Sequence, residues 1–575
     1  MTIQRCFLAA ACAAGLSTAN HASLHHEANA HGSVWEPIAS SLVTTPAPPP
    51  TTAAQGLTTD EKIAHAIAFV KTQMKVNPMP GVGLSVVYEN KPVIAQGFGT
   101  NAVGDEKNPV TSSSVFPIGA YSDTFIAVGL AKLVDDGKLW WDDSIKKHLP
   151  WFELSDKYAE KYLTLGDVAS MNVGVTEYFA PEWIFDELLS ERDLISILRD
   201  MPTRTSLRPG FEKSMLASQL LSQVIEAVTN QTWHAYLKTS VWEPLGMHDT
   251  AGRAGDIDKQ LAMGHYSCHG SVIGPFHQLK DSMVAFRPRR DYMASWSIVS
   301  SVADLTRFSE FLLDPKHKNL VHMPYLVDEL FTGHLNRRIN SATADGYKVK
   351  YGYSMASHGG AFASGYGFTL IGNIMWGHEY FEQKMVDDGF GFRLVNGFVY
   401  SRGLGLTITT NANVNNGNMS DSFRLDWMRS YILGLFLDVP IATLDGLFTQ
   451  SMAALDQKSF PAPCDAHYFE GKPWDIPGVI IPDDTKHQLV GTYHAAGLAN
   501  TTMRATVSIQ GKDLMLQFGA YTRRLIATER PQTYVWALDW DLQSFSVVVT
   551  KPASHDNTSL SVLLNGNQLV KFTRD

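Results

Sequence analysis

The sequence changes period near Leu489, and that change limits the chain to at least two separately built folding units. Beyond it, "LVGTYHAAG", "MRATVSIQG", "DLMLQFGA", "YVWALDWD", "SFSVVVTKP", "LSVLLNG" and "LVKFTRD" are short runs spaced by turn residues. They predict a small antiparallel barrel or sandwich over residues 486–575. Residues 441–485 are Pro-rich and irregular and read as a linker. From Leu57 to about residue 440 the pattern is that of a larger globular unit, and a chain of 575 residues is too long for one ordinary core.

In that larger unit "TTDEKIAHAIAFVKTQM" places Ile63, Ile67 and Val70 on one helical face and starts with a Thr58-x-x-Glu61 cap. "GVGLSVVYENKPVIAQGFG" alternates, turns at Glu89-Asn90 and returns, which predicts a hairpin. Further strands are expected near 364–374 and 392–411, and "SVADLTRFSEFLL" reads as a helix capped through Ser301-x-x-Asp304. The class expected is α+β.

The N-terminus has the pattern of a secretory signal over residues 1–22. Arg5 is followed by the short apolar "CFLAAACAAGL", with small residues near Ala19 and Ala22. An uncleaved anchor is the alternative. Residues 23–56, rich in Pro, Thr, Ser and Ala, read as a linker. Of four cysteines, Cys6 and Cys12 leave with the signal, so Cys268 and Cys464 form one disulfide or stay as two thiols. Asn230, Asn418, Asn500 and Asn557 open sequons, which matter only in a eukaryotic host. The net charge of −10 is spread along the chain. With no basic block, nucleic acid is not an expected partner. No run of about 20 apolar residues predicts a transmembrane segment, and no cofactor or metal site is expected.

The phrase "VFPIGAYSDTFIAVGLAKLVDDGKLWWDDSIKKHLPWF" resembles the first-motif helix of the serine β-lactamase-related proteins. These include class C β-lactamases, D-Ala-D-Ala carboxypeptidases and related esterases and peptidases. "PGFEKSMLASQLLSQVIEAVTNQTWHAYLKTSVWEPLGMHDT" is similar to their second-motif helix, and "ASWSIVSSVADLTRFSEFLL" to a third. The resemblance covers roughly residues 57–440. It implies an antiparallel sheet with helices and a helical subdomain, and "LVGTYHAAGL" resembles the β-domain appended to peptidase-type members.

The family's chemistry uses a Ser-x-x-Lys at a helix start, where the lysine eases deprotonation of the serine nucleophile. It also uses a Tyr-x-Asn, whose phenol moves the proton, and a Lys- or His-x-Gly strand beside the oxyanion hole. Carried over by position, the nucleophile falls on Ala120 and the amine on Asp123. The tyrosine and asparagine fall on Lys213 and Met215, and the His-x-Gly on Gln383, Lys384 and Met385. A further His-x-Ser-Gly segment reads Met171, Asn172, Val173, Gly174. The resemblance therefore implies a member with no catalytic residues: a secreted binding or structural protein of extracellular material such as an organic matrix, whose partner is an extracellular polymer, peptide or matrix protein. An Asp123–Lys213 pair across the cleft is expected.

The rival is an active esterase or peptidase with Ser122 as displaced nucleophile, although Ser122 is turned about 200° from residue 120 on a helix. Three other matches read as chance or structure: Ser144-x-x-Lys147, His358-Gly359-Gly360, and the zinc-like His265-x-x-Cys268-His269.

Overall fold

The computed structural model describes residues 56–574 except 78, 175–189, 201–206, 210–213, 258–260, 269–270, 281–291, 337–362, 369, 384–390, 415–418, 458–479, 497–501, 520, 529, 537–544, 551–557 and 565–566. The larger unit is organised by an eight-stranded antiparallel sheet. Its strands are β1 (Gly81–Tyr88), β2 (Lys91–Gly99), β3 (Leu335–Asn336), β4 (Ala363–Ser364), β5 (Leu370–Met375), β6 (His378–Glu382), β7 (Arg393–Val399) and β8 (Leu404–Thr410). Their spatial order is β2-β1-β8-β7-β6-β5-β4-β3. The hairpin turn between β1 and β2 puts Glu89 and Asn90 at φ 52° and 61°, the pair of left-handed residues that a tight two-residue connection requires.

Every residue of β1 is buried, so both faces of the sheet are covered. Val82, Leu84 and Val86 face a core shared with α1 (Thr59–Val76), α7 (Met419–Phe436) and α8 (Ile441–Asp456). The alternate residues face α6 (Val302–Leu313): Thr306 Oγ1 and Ser85 Oγ are hydrogen-bonded at 2.8 Å. A methyl group on Gly83 would overlap Val302 Cγ2 and lie 2.6 Å from Thr409 Oγ1, so only glycine lets the helix come this close. The expected caps form: Thr58 and Glu61 make a reciprocal capping box, and Ser301 accepts the Asp304 N–H.

The helical part of this unit is centred on α2 (Ser122–Asp135). All its residues but Lys132 are buried. A helix apolar on every side belongs inside a protein, and α2 lies among α4 (Met215–Thr229), α5 (Trp233–Leu237) and α6, where Phe125 stacks on Phe308 with centroids 3.9 Å apart. The short α3 (Glu191–Ser196) packs on α4.

The stretch from 441 expected as a linker instead begins with a helix. In α8, Leu444, Phe448, Met452 and Leu455 recur at intervals of four, four and three and bury one stripe on the sheet's helical layer. Proline at 440 starts this helix at its N-cap, where its missing N–H costs nothing. A second helix, Asp483–Leu489, spans the expected boundary at 485.

The C-terminal unit is a closed barrel of β9 (Gly491–Ala496), β10 (Thr502–Gln510), β11 (Asp513–Phe518), β12 (Tyr521–Ala527), β13 (Thr533–Trp536), β14 (Phe545–Thr550), β15 (Ser559–Leu564) and β16 (Asn567–Arg574). Closure pairs β9 antiparallel with β16. An up-and-down barrel in which all neighbours are antiparallel needs an even number of strands. The seven runs visible in the sequence are one short, and the eighth is "YTRRLIA", where two arginines interrupt the apolar alternation. Tyr493, Leu516, Phe518, Trp536, Val547, Val562 and Phe572 fill the interior.

Candidate functional site

The chain enters the candidate site along the short strand Val115–Pro117, makes a 3-10 turn over Gly119–Tyr121, and continues as α2. Ile118 N–H donates to Ile298 O at 3.0 Å, fixing the entry. Gly367, at φ 72°, lies against the first turn of α2. A Cβ there would meet Ala127 Cβ at 2.7 Å and Asp123 O at 2.9 Å. Thr124 Oγ1 donates to Gly367 O at 2.7 Å, so this loop is held on the helix start.

Ala120 and Asp123 are both buried within this turn. Asp123 is joined to the two elements facing it. Ser218 of α4 donates to Oδ1 at 2.5 Å, and Gln383 at the end of β6 donates to Oδ2 at 3.0 Å. The same Gln383 Nε2 also donates to Ala120 O at 2.9 Å. An acidic side chain in the first turn of a helix interacts favourably with the helix dipole, and here it also holds three elements together.

Gln383 is completely buried, and its backbone is fixed in both directions. Its N–H donates to Asn396 Oδ1 at 3.0 Å, and Asn396 Nδ2 donates to its carbonyl at 2.8 Å. One residue earlier, Glu382 pairs with Arg429 of α7 at 2.6 Å. Arg429 also reaches Asp426 at 3.2 Å and Asn396 O at 3.1 Å. Both members of the Arg429–Glu382 pair are at most 1% exposed. Breaking such a pair leaves a buried charge, so the strand end that carries Gln383 is rigidly placed.

Ala120 presents a methyl group and no nucleophilic atom. Asp123 is an acceptor whose two oxygens already receive donors. Ser122 is fully buried, and its Oγ has no hydrogen-bond partner among the described residues. Met215 is the first residue of α4. Lys213, Lys384 and Met385 lie outside the described residues, and with them the expected Asp123–Lys213 pair. Met171 adopts φ 62° after the helix Leu165–Ala169. Asn172 N–H returns to Asp167 O at 2.8 Å and Met171 N–H to Val168 O at 3.1 Å, the pair of bonds that closes a helix C-terminus.

The beta-lactamase family profile matches residues 66–427, more than half of the chain. The chain belongs to this family. Among relatives of this beta-lactamase family member is protein flp of Staphylococcus aureus (strain NCTC 8325 / PS 47), 23% identical over 313 residues, which are 53% of this chain and 59% of that protein. Penicillin-binding protein 4* of Bacillus subtilis (strain 168) is 25% identical over 150 residues, 25% of this chain and 32% of that protein. The chain thus spans about three fifths or less of these relatives' lengths. The solved octameric penicillin-binding protein homologue from Pyrococcus abyssi superposes with a TM-score of 0.50 and 17% identity, covering 89% of this chain and 100% of that one. That likeness concerns the fold: a β-lactamase-like α+β unit followed by an all-β barrel.

The remaining sequence candidates are dispersed. His265 is buried, with Nδ1 2.9 Å from Asn411 O, and its Nε2 accepts the Val103 N–H at 3.1 Å. The first contact needs a hydrogen on Nδ1 and the second a lone pair on Nε2, so this tautomer has no lone pair left for a metal. Burial holds its pKa down at about 4. Lys147, in the short helix Ile145–His148 whose N-cap is Ser144, pairs with Asp143 at 2.5 Å. Cys268 ends a strand, Gly264–Cys268. Asn230 is the exposed, left-handed C-cap of α4 at φ 55°. Cys464, His269, His358–Gly360, Asn418, Asn500, Asn557 and residues 1–22 lie outside the described residues. Among the described residues no helix is long and apolar enough to cross a membrane.

Sequence reasoning missed Ser218 and Asn396. Ser218 had a signal: Ser214, Ser218 and Ser222 recur every four residues from the N-cap of α4 onward, a stripe of small polar residues that is buried throughout.

Proposed function

We propose that this is a secreted, non-catalytic β-lactamase-like protein, a binding or structural component of extracellular material such as an organic matrix, with an extracellular polymer, peptide or matrix protein as partner. One observation carries the reading. Where acyl transfer needs a nucleophilic oxygen with a base in hydrogen-bond reach, residue 120 is a methyl group, and residue 123 is a carboxylate engaged with Ser218 and Gln383. The Gln383 side chain, bonded to Ala120 O, takes up space beside the helix start that a substrate would need. Against an esterase using Ser122 stands the full burial of that hydroxyl. The extracellular setting rests on the signal-like N-terminus, and the matrix role on analogy between folds.

Incubation of the purified protein with a fluorophosphonate and with a penicillin, followed by intact-mass measurement, tests the reading. The expected spectrum shows no adduct. A stoichiometric mass increase mapped to any serine overturns it. For the matrix role, the native protein is expected in the insoluble extracellular fraction, and recovery solely from soluble fluid counts against it.

A further inference from the structure

Arg523 lies on β12 of the C-terminal barrel between Tyr521 and Leu525, which both belong to the barrel's buried core. Side chains of a strand alternate between its two faces, so Arg523 shares the inward face with them. Its partner across the ladder is Leu516, fully buried in the same core. Phe518 pairs with Tyr521, and Leu525 pairs with Trp536 of β13. A half-buried arginine thus stands among Leu516, Phe518, Tyr521, Leu525 and Trp536.

The next residue, Arg524, points the other way and is neutralised: its Nε lies 3.3 Å from Asp513 Oδ1. Among the described residues no carboxylate pairs with Arg523, whose Nη1 donates to Thr522 O at 2.8 Å. A carbonyl balances no charge. A guanidinium has five N–H hydrogens and stays charged at every physiological pH. Burial works against that charge and draws its pKa below the ordinary value, with Tyr521 acting the other way. Keeping an unbalanced charge beside apolar walls costs stability. The edge of the guanidinium that carries Nε–H and Nη2–H is left for an acceptor, and two parallel N–H donors match the two oxygens of a carboxylate.

We propose that Arg523 anchors an anion site in the C-terminal barrel whose ligand is a monocarboxylate. One guanidinium supplies one positive charge, and a carboxylate balances it. A phosphate dianion would set a second negative charge beside Leu516, Leu525 and Trp536 with nothing to oppose it. Leu516 and Trp536 are fully buried, so the barrel is filled beyond Arg523 and the body of the ligand stays at its mouth.

The test follows hydrogen–deuterium exchange of peptides from β11 to β13 in the full chain. Benzoate, titrated at constant ionic strength, is expected to slow their exchange saturably, by about tenfold at ten times its Kd. Benzamide, its uncharged analogue, is expected to leave exchange unchanged, and inorganic phosphate to do less than benzoate at equal concentration. Arg523→Met is expected to lose the response to benzoate and, without any carboxylate present, to exchange no faster than wild type, because it removes a charge from apolar surroundings. Arg523→Lys, which keeps a charge and loses the fork, is expected to respond several-fold less. Absence of slowing by benzoate in wild type, or equal slowing in Arg523→Met, overturns the inference. Faster exchange or failure to fold in Arg523→Met overturns it too, since the guanidinium then serves the fold. Phosphate slowing exchange as strongly as benzoate overturns the assignment to a monocarboxylate.

Discussion

Gln383→Glu is the sharpest probe of the bridge between Asp123 and β6. The change is nearly isosteric, and it replaces a donor 3.0 Å from Asp123 Oδ2 with a second acceptor. If both groups were ionised, the repulsion at that distance would be about 5 kcal/mol at an effective dielectric of about 20. The cheaper escape is for the introduced glutamate to keep its proton and donate it to Asp123. Holding a proton at pH 7 that an unfolded glutamate releases near pH 4.3 costs about 3.7 kcal/mol, at about 1.4 kcal/mol per pH unit.

The sign follows from the raised folded pKa. Below about pH 4.3 the variant lacks only the bond to Ala120 O, since a carboxylic acid has one hydrogen to give, and above that pH it falls further behind by about 1.4 kcal/mol per unit, up to the ceiling set by ionising both groups. Urea unfolding of both proteins at pH 5, 6 and 7 should give losses that exceed the difference at low pH by about 1, 2.3 and 3.7 kcal/mol. A loss independent of pH, or no loss at pH 7, would refute the contact between residues 123 and 383.

Two further substitutions test the packing around the site. Ser218→Ala removes a donor to a buried carboxylate and should lower stability by about 1.5–3 kcal/mol, seen as a lower urea midpoint with unchanged slope. Gly83→Ala should cost about 1–3 kcal/mol by pressing on Val302, and Val302→Ala in the same chain should restore part of it. A strictly additive double variant would count against that contact.

The fold was largely legible because its signals are local. Thr58 and Glu61 sit three residues apart and cap α1, and Glu89-Asn90 marks its own turn. The eighth barrel strand was not, because Arg523 and Arg524 fall where apolar alternation was sought. Arg523 nonetheless lies half-buried in β12. In the site, Ala120, Asp123 and Gln383 could be placed from their flanks. That they form one unit could not be read, because the contacts span 95 residues to Ser218 and 260 to Gln383. Asn396 gave no signal at all: it is one polar residue in a buried strand, and its purpose appears only once β7 lies beside β6.

Closure of the C-terminal barrel has a consequence for association. Each of its eight strands has a neighbour on both sides, so a partner cannot join by adding a strand there. Recognition at that unit has to use side chains and loops. In the main sheet β2 does end the strand order, but it begins Lys91-Pro92, an exposed charge and an exposed residue without an N–H. That edge of the main sheet and the barrel are thus both protected against fusing edge to edge.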